Sequence, residues 1–139
     1  MKYFSQMALE QKTEVEELKS LLNPIIESKI RPNEKIKGAL LTGSVARGDA
    51  RIGPFGIMID ITLIVENKDD ISLNVIFGNN EEPFIPYHCV TIQDKIGLAI
   101  EVIEIEKLFN IRNQPESVVF AYNESIIIDD KEEILKKWK

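Results

Sequence analysis

Two stretches decide how this chain is read: Leu41-Thr42-Gly43-Ser44-Val45-Ala46-Arg47-Gly48-Asp49-Ala50-Arg51 and Ile57-Met58-Ile59-Asp60-Ile61-Thr62-Leu63-Ile64-Val65. The first closes an apolar run that begins at Ile36, so residues 36–42 are predicted to form a buried strand. A glycine where that strand ends lets a ligand approach the backbone, because no side chain intervenes. The Ser44 hydroxyl, and the amides of a helical turn expected over Val45 to Gly48, are donors suited to phosphate oxygens. Arg47 adds a fixed positive charge one turn on. The second stretch predicts a strand over residues 57–65, with period-two geometry placing Asp60, Thr62 and Ile64 on one face. A carboxylate in such a run is costly unless it is paired, near water or bound to a cation. Magnesium suits that setting, since it prefers carboxylate and phosphate oxygens. Between the two stretches, Gly53, Pro54 and Gly56 predict a loop over 51–56.

Working outward, residues 5–30 read as a helix with Val15, Leu18, Leu22 and Ile25 on one face and Glu14, Glu16 and Glu17 largely on the solvated one. Pro24 after Asn23 predicts a kink or restart, and Arg31-Pro32-Asn33 a stop. Asn67 to Asp70 reads as a polar turn, 71–77 as a half-solvated strand, and Gly78-Asn79-Asn80 as a turn. Residues 84–93 and 97–105 predict two strands joined at Asp94-Lys95, followed by a short helix near Ile105. A further strand is expected within 118–128. Asp129-Asp130 then caps a terminal helix holding Ile134, Leu135 and Trp138. Strands and helices intermingle, so the class is α/β or α+β with a mixed sheet. A length of 139 residues suits a single domain spanning 1–139.

A formal net charge of -6 leaves no overall basic footprint, which disfavours duplex DNA and anionic membranes as main partners. Cys89 is the sole cysteine, so neither an internal disulfide nor a cysteine-rich zinc site is available. The first thirteen residues hold no apolar run, and no stretch reaches the roughly 18 apolar residues that span a bilayer. A cytoplasmic location is the expectation. His88 and Cys89 lack the companions of a metal site, so His88 is expected to be structural or solvent-facing and Cys89 a small buried apolar residue.

Residues 41–51, followed by the Asp60 strand, strongly resemble the glycine-serine segment and first acidic strand of the polymerase-beta-like nucleotidyltransferases, above all their small bacterial and archaeal members. The resemblance is dense over 38–65 and looser over 98–128. It implies a mixed sheet with helices packed on one side. It also implies that Gly43 and Ser44, with Arg47, hold a nucleoside triphosphate, ATP being expected, and that Asp60 is the first carboxylate for magnesium. A later neighbouring strand should bring a further acidic residue that binds metal or acts as base. Glu101, inside Leu98-Ala99-Ile100-Glu101-Val102-Ile103-Glu104, is the choice; Glu104, three positions on, faces the other side of the sheet and is the alternative. Two departures stand out. Thr62 occupies the place of a second carboxylate, and the loop between Ser44 and Asp60 is longer than the compact form of the family. The implied activity is magnesium-dependent transfer of a nucleoside monophosphate to an acceptor, whether a protein, a small molecule or an RNA end. The alternative, which Thr62 motivates, is a catalytically impaired module that binds nucleotide or a protein partner.

Overall fold

The apolar runs form strands where their patterns place them. In the computed structural model, which describes residues 16–43, 52–53, 56–93, 95–110 and 125–138, Ile36–Thr42 is strand β1 and Gly56–Val65 is strand β3. They pair antiparallel, with Leu40 opposite Thr62 and Thr42 opposite Asp60. Strand β5 (Ile96–Glu104) lies parallel to β3 on its other side, setting Asp60 beside Ala99 and Thr62 beside Glu101. Strand β4 (His88–Gln93) runs antiparallel along β5, and β6 (Ile126–Asp130) antiparallel along β1. The order is β4-β5-β3-β1-β6, a mixed sheet of the α+β class.

Helices cover both faces, which corrects the expectation of helices on one side. On one face, Ile59, Ile61 and Leu63 pack with Leu41 and Ile100 against Leu18, Leu22, Ile26 and Ile30 of helix α1, which is α-helical over 16–25 and π-helical over Ile26–Ile30. Fully burying each such side chain contributes roughly 1.5–3 kcal/mol, so this face is the main core. On the other face the alternate residues Leu40, Ile64 and Ile103 pack against Leu108, Leu135 and Trp138. Those three come from the short helices α3 (Ile105–Phe109) and α4 (Ile134–Trp138). Gly38 permits this contact, since a Cβ there would stand 2.7 Å from Leu135 Cδ1. The cover reaches only one end of this face. At the other end the same alternation turns Thr42, Asp60, Thr62 and Glu101 toward a cleft.

Four local expectations are revised. Residues 71–77 form no strand: helix α2 spans Leu73–Phe77, and the Ser72 hydroxyl accepts from the Val75 amide at its N-cap. Ile71, Leu73, Val75 and Phe77 alternate, whereas Leu73, Ile76 and Phe77 take the helical spacing, and the serine cap decides between the two patterns. The strand expected over 84–93 starts only at His88, after Pro83 and Pro86, which lack the amides a ladder requires. Ile52–Gly53 is a short strand, β2, paired with Ile57 and Gly56 rather than loop. Pro24 does not restart α1; the helix continues and widens to the π form two residues later, its last turn closed by the Arg31 amide on the Ile26 carbonyl at 2.9 Å. The residues of the long helix before 16, and those of the 118–128 region before 125, lie outside the described residues.

The second acid of Asp129-Asp130 is the cap: Asp130 accepts from the Leu135 and Lys136 amides at 3.1 and 2.9 Å. Asp129 is instead buried between cations, 3.5 Å from both Arg31 Nε and Lys131 Nζ. Among the described residues its Oδ2 receives no hydrogen bond, because the Lys131 protons are directed elsewhere. They go to the carbonyls of Ile30, Asn33 and Ile36, tying the end of α1 to the start of β1. Lys131→Met is therefore expected to destabilise the protein by about 2 kcal/mol, the scale of charge-assisted hydrogen bonds lost from a partly exposed site. The urea unfolding midpoint reads this loss, and an unchanged midpoint would show that water replaces the ammonium at no cost.

Candidate active site

The exposed end of the second face is a cleft of about 290 Å³. Its floor is built by register alone. Asp60 and Thr62 are two apart on β3, Ala99 and Glu101 are their neighbours on β5, and all four point to one side. Ala99 opposite Asp60 leaves room above the floor where a larger side chain would fill it. Thr62, 1% exposed, directs its hydroxyl to Glu101 Oε2 at 3.5 Å, a long hydrogen bond. Thr42 donates to the Asp60 backbone carbonyl at 3.3 Å across the β1–β3 ladder.

Gly43 follows β1 with φ at 67°, a left-handed conformation that favours glycine. A Cβ at this position would overlap Asp60 Oδ2. The glycine is thus required twice, by the backbone and by the carboxylate seated against it. Ser44 and Arg47, the other residues expected at the triphosphate, lie outside the described residues, as do Asp49 and Arg51.

Glu101 and not Glu104 joins Asp60 in the cleft. Glu104, at the far end of β5, accepts from the Lys68 amide at 3.1 Å and holds the turn after β3. The cleft also contains a residue that sequence reasoning missed. Tyr87 lies one position before the His88–Ile100 pair, which brings it alongside Glu101 at the mouth of the cleft. No periodicity marks it; only the register of β4 against β5 does.

Among the described residues the charged groups lining the cleft are the carboxylates of Asp60 and Glu101. Burial first, and then the charges of Glu101 and Asp60, push the Tyr87 phenol above its ordinary value. Burial, followed by Glu82, Asp60 and Glu81, likewise pushes the Cys89 thiol up. Cys89 is 2% exposed and packs as a small apolar residue, as its sequence setting predicts. His88 Nε2 lies 2.7 Å from the Gly78 carbonyl, which makes it the protonated ring nitrogen and gives the imidazole a structural role. Trp138 is packed in the second core cluster.

Among the described residues no group of three or more His, Cys, Asp or Glu side chains is placed to hold a metal ion. Two carboxylates with a hydroxyl between them are a partial donor set. That set fits magnesium, which keeps several waters and takes substrate phosphate oxygens; it does not fit a cation that needs a full protein cage. No protein-family model matches the chain, and no curated protein matches it. Among the described residues no helix is long and apolar enough to cross a membrane.

Proposed function

We propose that this protein is a magnesium-dependent nucleotidyltransferase, moving a nucleoside monophosphate from a triphosphate to an acceptor hydroxyl. The observation that carries the reading is the placement of Asp60 and Glu101 on adjacent parallel strands, facing one cleft whose rim is a left-handed glycine. Gly43, Asp60 and Glu101 line the same cleft, so a phosphate held at the Gly43 backbone would lie beside both carboxylates. Asp60 and Glu101 would hold magnesium, which supplies neutralisation of the phosphate charge. Glu101, oriented by Thr62, also suits removal of the proton from an acceptor entering on the β5 side. Transfer of this kind asks a protein mainly for position and electrostatics, and a small cleft of this design suffices.

A second reading has its own observation. Thr62 is buried at the floor and its hydroxyl is committed to Glu101, so the site offers one negative charge fewer than a three-carboxylate clamp. On this reading the domain binds nucleotide, or a partner, without turnover. Pyrophosphate release from each triphosphate, with wild type and Asp60→Ala, separates the two. Magnesium-dependent release lost in the variant supports the transferase; nucleotide binding without release supports the binding module; neither binding nor release contradicts both.

A further inference from the structure

Among the described residues three hydroxyl groups line the cleft, and two of them are committed. Thr42 donates to the Asp60 carbonyl, and Thr62 to the Glu101 carboxylate. The third belongs to Tyr87. Its residue is 41% exposed, and its register places it alongside Glu101, at the opposite side of the cleft from Gly43. Four positions lie in sequence across the floor: Gly43 at the end of β1, Asp60 on β3, Glu101 on β5, and Tyr87 leading into β4. A triphosphate seated at Gly43 and Asp60 would have its reacting end directed toward Glu101, and the next hydroxyl beyond Glu101 is the phenol.

We propose that Tyr87 is itself an acceptor, and that the protein transfers a nucleoside monophosphate onto this tyrosine within its own cleft. The inference rests on the transferase reading above. In the step, the phenolic oxygen attacks the α-phosphorus of the nucleoside triphosphate. A phosphorus–oxygen bond to tyrosine forms, the bond from the α-phosphorus to the bridging oxygen of the β-phosphate breaks, and pyrophosphate leaves. The phenolic proton passes to the Glu101 carboxylate. A base is needed because an ordinary phenol is protonated at neutral pH. The product places a phosphodiester at the mouth of an already acidic cleft. That would block the acceptor side and repel a second triphosphate, so modification would switch the site off.

The test uses the full chain with magnesium and ATP, read by intact mass and by peptide mapping. Addition of one nucleoside monophosphate, mapped to Tyr87, is the expected result. The chain has three tyrosines, Tyr3, Tyr87 and Tyr122, so Tyr87→Phe is the deciding variant: it keeps the ring and loses only the hydroxyl. Labelling should vanish in Tyr87→Phe while magnesium-dependent nucleotide binding persists. Labelling in wild type should also be first order, with a rate constant independent of protein concentration, and an Asp60→Asn chain mixed with wild type should stay unlabelled. The proposal is overturned if wild type binds nucleotide with magnesium yet acquires no label, if Tyr87→Phe is labelled as fast as wild type, or if the Asp60→Asn chain is labelled by its neighbour. Failure of the transferase reading itself looks different, because magnesium-dependent pyrophosphate release is then absent with every acceptor offered, whereas failure of this proposal alone leaves that release intact and Tyr87 unlabelled.

Discussion

Thr62→Asp is expected to unfold about 3 kcal/mol more easily than wild type in the presence of a chelator, and to recover most of that loss in magnesium. Thr62 is 1% exposed and its neighbours on the cleft floor are Asp60 and Glu101. A third carboxylate there is buried against two like charges, and the penalty for an uncompensated buried charge is several kcal/mol. The hydroxyl that orients Glu101 is lost as well. A bound cation reverses the sign of the interaction. At about a hundred times its dissociation constant, magnesium returns about 2.7 kcal/mol by linkage. Thermal unfolding of wild type and variant, each with chelator and with magnesium, measures both halves. A variant equally destabilised in both conditions would mean that the three positions do not converge on a cation.

The second large effect is expected at Gly43. Alanine there must hold a left-handed backbone, a cost of about 1–2 kcal/mol, and its methyl group would displace the Asp60 carboxylate that stands against the Cβ position. The fold should survive, because the strand core lies below this level. Nucleotide affinity in magnesium should fall by at least about tenfold, equivalent to about 1.4 kcal/mol. Gly78→Ala is the matched control. Gly78 also has a positive φ, at 97°, but nothing among the described residues lies within 4 Å of its Cβ position, and it does not line the cleft. It should lose stability to a similar degree and keep its affinity. If both variants bind nucleotide equally well, the close approach of Gly43 to Asp60 plays no part in binding.

The parts legible from sequence are those in which one physical pattern dominates. The runs 36–42 and 57–65 are apolar, β-branched and bounded by turn residues, and nothing competes with the strand. The asymmetry of the Asp60 strand was legible for the same reason: an odd polar pair in an apolar run identifies where one face departs from core. Choosing Glu101 over Glu104 needed only parity along one strand. Where two patterns coexist, local order does not decide. Residues 71–77 alternate and also satisfy helical spacing, and a single serine cap settles the matter. Tyr87 was invisible because its relation to Glu101 depends on the registry of β4 with β5, set by contacts made across the sheet rather than along the chain. The cover on both faces escaped for a similar reason. Leu40, Ile64 and Ile103 belong to three strands, and only the sheet order brings them under Leu135 and Trp138.

If Asp60 and Glu101 form a place where nucleotide and magnesium bind together, each ligand should depend on the other. Titration calorimetry of ATP into the protein, with and without magnesium, for wild type and Asp60→Asn, tests it most directly. With two carboxylates and no third among the described residues, magnesium alone should bind weakly, and the nucleotide should bind well only when magnesium is present to share its phosphate oxygens with Asp60. Asp60→Asn should remove that magnesium dependence along with most of the affinity, by about tenfold or more. ATP binding that is unaffected by magnesium and by Asp60→Asn would contradict the claim, as would tight binding of magnesium with no nucleotide at all.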